Sequence, residues 1–234
     1  MQNNLVILTI PGAWGSRTGV LSALGEDFVF ASKPQEGVRI EFRKGRRRNV
    51  LADFWLAGFH WQDTTEMSAV RRHTSNVTLT TVGGSPQRMR QLMTAATAVV
   101  RAGGLGVHVA HVGIAHTPRK WLELDGEGLD GIHRAFVVTI DGPVGDAYSC
   151  GMHNFGLKEV SVPNDVPNRA NVVGIITRHL LVKGARIERG QTIAIGQDAS
   201  RYSFRDVQSA FAPDGAIFEH QVGTWQLVHA EAIH

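Results

Sequence analysis

The sequence predicts an α+β fold, a mixed and largely antiparallel sheet with helices packed on one face. Strand-like apolar runs outnumber helical stretches and arrive in groups, which argues against a doubly wound parallel architecture. Two long stretches carry apolar residues at helical spacing, each placed between a strand-like run and a glycine stop. No linker rich in Pro, Ser or Gly divides the 234 residues, so the chain reads as a single domain, 1–234.

Each element has its own signal. "NNLVILTIPG" is a buried strand ended by Pro11-Gly12, after which Ser16 N-caps a short helix through Leu24. "EDFVFAS" and "VRIEFRK" read as two strands joined by the turn residues Pro34 and Gly37, and "RKGRRR" as a hairpin turn around Gly45. From Asn49 to His73 the pattern is ambiguous, with Phe54, Trp55, Phe59 and Trp61 around a helix or helical turn. "NVTLTTVGG" is a strand. Ser85-Pro86 then makes an N-cap and first-turn pair, Met89, Leu92, Met93, Ala96, Val99 and Val100 line one helix face, and Gly103-Gly104 stops it. "GVHVAHVGIAHT" returns as a strand.

The second half follows the same plan. "KEVSVPND" is a strand, Asp165 or Asn168 starts a helix near Pro167, and Val172, Ile175, Ile176 and Leu180 line its apolar face before Gly184. Pro86 and Pro167 are 81 residues apart, as are Gly103 and Gly184, so units of about 75–113 and 156–195 read either as pseudo-repeated β-α-β halves or as a coincidence of common punctuation. "RIERGQTIAIGQ" and "VGTWQLVHAEA" supply closing strands.

Composition narrows the class. An apolar fraction of 43% and a charged fraction of 19% are those of a globular chain rather than a disordered one. No run of about 18 apolar residues appears, and "MQNNLVILTIPG" lacks the basic start of a signal peptide, so the expectation is a cytoplasmic protein with no membrane contact. The lone cysteine agrees with a reducing compartment. The formal charge is +3, and 19 of the 24 cations are arginine, with the one dense cluster at Arg43 to Arg48. Because no aromatics interleave with that run, it reads as a solvated turn before it reads as a nucleic-acid contact.

The stretch most suggestive of chemistry is "AYSCGMHNFG", where Cys150 precedes His153 by three residues. A nucleophilic thiol needs a lowered pKa and access, whereas cysteine is among the most buried residue types, so structural core, a reactive thiol and a metal ligand are the readings, in that order. The histidines of "HVAHVGIAHTPRKW" lie on a strand, where His108 and His116 share a face and His111 does not, a poor metal spacing. His116 with Arg119 stands at a strand-to-helix corner capped by Thr117-Pro118, the kind of corner that binds anions. Trp14 and Arg17 in "PGAWGSRTG" either cover the sheet end or cradle a ligand, without P-loop spacing. Asp141 and Asp146, and the acidic loop Glu123 to Asp130, read as solvated turns.

Four segments together, "IPGAW", "GIAHTPRKW", "YSCGMHNFGL" and "GQTIAIG", resemble an uncharacterised bacterial domain-of-unknown-function family. That resemblance implies a compact α+β domain and brings no activity and no functional residue. The expectation is therefore a non-enzymatic protein that binds another protein, in its most concrete form an immunity-type protein neutralising a toxin, with no metal and no cofactor. Trp14, Arg17, Arg119 and Trp121 are the expected binding residues, Trp61 and Trp225 sit at element ends, and Trp55 belongs to the core. The alternative is a small-molecule hydrolase or transferase using Cys150, His153 and His116.

Overall fold

A computed structural model describes residues 4–24, 29–57, 63–142, 145–195, 200–207 and 222–230. The architecture is α+β, with seven α-helices and eleven strands among the described residues. The chain divides into two compact units, Met1–Ala135 and Phe136–His234, and the strands form one sheet in each.

In the first unit, β1 (Leu5–Gly12) is the middle strand of a five-stranded antiparallel sheet. Beside it run β3 (Ser75–Val82) and β4 (Val107–Val109), with β2 (Arg39–Lys44) and β5 (Ile114–His116) at the edges. Strand alternation puts Val6, Leu8 and Ile10 on one buried face, opposite Thr81, Leu79 and Val77 of β3. Helix α4 (Pro86–Arg101) packs on β1 and β3. Ser85 caps it by accepting the Arg88 N–H at 3.3 Å, and Pro86 occupies its first turn. Every residue expected on its apolar face is buried. Gly103, at φ 101°, ends it in a conformation that glycine adopts without strain.

Around this sheet lie α1 (Arg17–Leu24), α2 (Arg48–Ala57), α3 (Thr65–Arg71), α5 (Pro118–Asp125) and α6 (Gly128–Phe136). Ser16 caps the first of these by accepting the Gly19 N–H. Val50 and Phe54 of α2, Met67 and Val70 of α3 and Ala115 of β5 form a second apolar cluster; the described parts of the ambiguous stretch from Asn49 to His73 hold these two helices, and Phe59 lies outside the described residues.

Other sequence expectations for this unit need correction. Val29 to Ser32 form no strand: Val29 is 94% exposed, and the chain turns over residues 32–37, so β2 pairs with β3 instead. Glu26 to Phe28 lie outside the described residues. The turn at Gly45 leads from β2 into α2 rather than into a hairpin partner. "GVHVAHVGIAHT" is not one strand but the hairpin β4–β5, reversed where Gly113 takes φ 66°. Of the acidic stretch expected as a solvated turn, Glu123 and Asp125 lie in α5 and Asp130 in α6, while Glu127 stands in the turn between them; Arg119 and Lys120 pair with Glu123, and Arg134 with Glu127.

The second unit carries β6 (Val138–Asp141), β7 (Ala147–Cys150), β8 (Glu159–Val162), β9 (Thr192–Ile195), β10 (Ser200–Val207) and β11 (Thr224–His229). They lie in the order β6-β7-β8-β11-β10-β9, and β8 with β11 is the parallel pair in an otherwise antiparallel ladder. Helix α7 (Arg169–Val182) packs on β6, β7 and β8. Its buried arc holds Val172, Ile176 and Leu180 as expected, but Ile175 is 57% exposed because Val173, Thr177 and Leu181 complete that arc on the other side.

One strand-helix-strand unit falls in each half: β3–α4–β4 and β8–α7–β9. In both, the outer strands run parallel with strands inserted between them, β1 in the first and β11 with β10 in the second. The correspondence is one of plan. Pro86 opens α4, whereas Pro167 precedes α7 by two residues and Asn168 holds the cap position at φ 51°. Among the described residues no helix is long and apolar enough to cross a membrane.

Candidate functional site

The Cys150 corner is built by β7, a single 3-10 turn at Met152–Phe155, and β8. Gly151 at φ 122° and Gly156 at φ 74° allow the two sharp reversals. At Gly151 a side chain is excluded outright, since a Cβ there would lie 1.9 Å from the Phe136 carbonyl oxygen. The turn wraps around Glu159, which is 1% exposed. One carboxylate oxygen of Glu159 accepts the backbone N–H groups of Gly151 and His153 at 3.0 and 3.1 Å and His153 Nδ1 at 2.7 Å. The other accepts the Ser149 hydroxyl at 2.5 Å, and Ser149 Oγ in turn accepts the Val160 N–H at 2.9 Å. A buried carboxylate is tolerable only when bonded in this way.

The chemistry of Cys150 follows from its place. Its side chain is fully buried, and burial, with the Glu159 carboxylate adding to it, pushes the thiol up to about 12. Reactive cysteines sit in electropositive and accessible surroundings. This one is closed and has a carboxylate nearby, facing Val138 across the β6–β7 ladder. His153 turns its Nδ1 to Glu159, in the same turn that follows Cys150.

The remaining expected residues scatter. His116 directs Nε2 to the Ala135 carbonyl oxygen at 3.1 Å and lies 5.7 Å from the Trp121 ring. Thr117 does cap α5, taking the Lys120 N–H, while Arg119 leans along the helix to Glu123. His108 is 6% exposed, and burial draws its pKa below the ordinary imidazole value against the opposing pull of Asp53. Trp121, expected as a binding anchor, is fully buried with its indole N–H donated to Thr97, so it belongs to the core. Trp14 covers Gly12, where a Cβ would strike the indole, and donates to the Ala102 carbonyl at 2.7 Å, whereas Arg17 is exposed. Trp225 lies under Lys158, and Trp61 falls outside the described residues. Asp141 is exposed, but Asp146 is buried at 5%, not solvated.

Sequence reasoning missed the juxtaposition at the start of α2. The β2–β3 pairing sets Arg43 and Lys44 across from Asn76 and Ser75, so the turn after β2 lies against the end of α3. Gly45 N–H donates to the Thr74 carbonyl at 2.7 Å, and Arg46 donates its guanidinium to the Arg71 carbonyl. His73 fastens the two: its Nδ1–H donates to the Val70 carbonyl, leaving Nε2 to accept the Arg47 N–H at 3.2 Å. Two arginine groups distant in sequence, Arg43 to Arg48 and Arg71 with Arg72, thereby share one place. Trp55, read as core, is 39% exposed, with the Arg71 guanidinium 5.3 Å from its ring centroid and Leu56 beside it at 71% exposure. Comparison with protein-family models, curated proteins and solved structures finds no match to this chain.

Proposed function

We propose that this protein acts by binding another protein, and that an immunity-type role, the occlusion of a toxin, is its most concrete form. The observation that carries the reading is Trp55, an exposed indole held under the Arg71 guanidinium and flanked by exposed Leu56. Tryptophan and arginine are the residue types enriched at interface hot spots, and an arginine stacked on an indole is pre-ordered for contact. The closed Cys150 corner supports the same reading from the other side, because the residues most suggestive of catalysis are spent on holding a turn. Occlusion needs a stable scaffold and such a face, and no active site. A cytoplasmic location fits the single reduced thiol, and the family suggested by the four motifs adds nothing against it.

The test is recovery of the tagged chain from its native host. One dominant protein at about equal stoichiometry is expected, and it should be retained equally by Cys150→Ala, which leaves the surface unchanged. Recovery of no partner, together with turnover in a substrate screen that Cys150→Ala or His153→Ala abolishes, would replace this reading with an enzymatic one.

A further inference from the structure

We infer that the face joining the β2–α2 turn to the end of α3 docks an acidic protein surface, an inference that rests on the partner-binding reading and names the partner's chemistry. Residues 1–135 hold 16 Lys and Arg against 11 Asp and Glu, net +5, while residues 136–234 hold 8 against 10, net −2. The excess is concentrated: the run Arg43 to Arg48 meets Arg71 and Arg72 through the His73 clasp and the Arg46 bond to the Arg71 carbonyl. Glu41 offsets part of it by pairing with Arg39 and Arg43. Lys44, Arg48 and Arg72 are exposed and form no ion pair among the described residues. Such a field attracts and orients a partner of opposite sign.

The apolar part of the face decides what kind of anion fits. A phosphate backbone has no use for Leu56, which is 71% exposed at the end of α2, and one face of the Trp55 ring is already covered by Arg71. An exposed indole under one arginine, with an exposed leucine next to it in sequence and further cations on the adjoining turn, matches a protein interface, where apolar anchors are bordered by a polar rim. Carboxylates of the partner then meet the guanidiniums, and an apolar side chain meets Trp55 and Leu56.

The intact chain is titrated against two fluorescein-labelled probes of equal charge, a Glu-rich peptide with interspersed leucines and a single-stranded oligothymidylate. The peptide is expected to bind more tightly than the oligonucleotide, and more weakly as salt is raised. The pair Arg48→Glu and Arg72→Glu should abolish binding. Trp55→Ala, which removes no charge, should weaken it by about 30-fold, as truncation of a hot-spot anchor does. Arg189→Glu, a charge reversal of the same kind made once in the second unit, should leave it unaltered, and circular dichroism checks that each variant is folded. Tighter binding of the oligonucleotide would make this a nucleic-acid site and overturn the inference. Equal loss in Arg189→Glu, or no effect of Trp55→Ala, would reduce it to unspecific attraction and also overturn it. A native partner that is still captured by the charge-reversed and Trp55→Ala variants would sink this docking face while leaving the partner-binding reading intact.

Discussion

At the scale of single residues, Cys150 and His108 show how burial rather than sequence neighbours sets chemistry. The thiol is expected to react slowly with a thiol reagent in the folded protein and quickly after unfolding, because both access and thiolate are suppressed. Rapid native labelling with an apparent pKa below about 7.5 would contradict the buried assignment. His108 makes a prediction about pH. Its folded pKa is lowered, chiefly by burial, so the unfolded chain binds the proton more readily. Stability from this group is present above the ordinary imidazole pKa of about 6.5 and is lost as pH falls from there through the lowered native value. Melting temperature should therefore fall on acidification below about pH 6.5, and His108→Gln should flatten that part of the profile. An unchanged profile in His108→Gln would assign the acid sensitivity to other groups.

At the scale of elements, Glu159 does for the β7–turn–β8 connection what a cap does for a helix. It collects two backbone N–H groups, the imidazole and the Ser149 hydroxyl, which ties the end of β7, the 3-10 turn and the start of β8 to one buried side chain. Glu159→Gln removes the negative charge that His153 and two backbone N–H groups meet and puts a donor amide where the Ser149 hydroxyl now donates, so that bond must be lost or reversed. The expected cost is about 2 to 4 kcal/mol in denaturant unfolding, in the range for a buried charged hydrogen-bonding group left mismatched. His153→Ala removes one of those bonds and should cost less. The reverse order would show that the imidazole, not the carboxylate, organises the turn. Ser149 and Glu159 were absent from the sequence-derived candidates, although "EVSV" contains an acid at the first position of an apolar strand, a placement that needs a buried partner.

At the scale of the whole molecule, the described contacts fall into two units, and each has a sheet and a buried apolar set of its own. A unit with a complete core is able to fold by itself. Residues 1–135 expressed alone should unfold in one cooperative transition, followed by circular dichroism in urea, and should keep the affinity of the full chain for the Glu-rich peptide. A fragment with no cooperative transition would mean that the second unit is needed to complete the first. The charge difference between the units is a property at this scale too, since neither the net +3 nor the run at Arg43 to Arg48 discloses how strongly the basic residues gather in one half.

What the sequence determined by itself is what depends on neighbours a few residues away. The α+β class, the buried face and both ends of α4, the Ser16, Ser85 and Thr117 caps, and the glycine stops at Gly103 and Gly184 all follow from periodicity and local hydrogen bonding. Tertiary structure alone decided which strands pair, and with that, which side chains meet. Nothing near residue 30 announces that β2 would take β3 as its partner, and nothing in "RKGRRR" announces Arg71, Arg72 and Trp55. Trp55, read from the sequence as core, is 39% exposed, and Trp121, read as a binding residue, is fully buried. The reason is physical: strand pairing and burial are satisfied by groups far along the chain, so they depend on where the backbone returns, which no local pattern encodes.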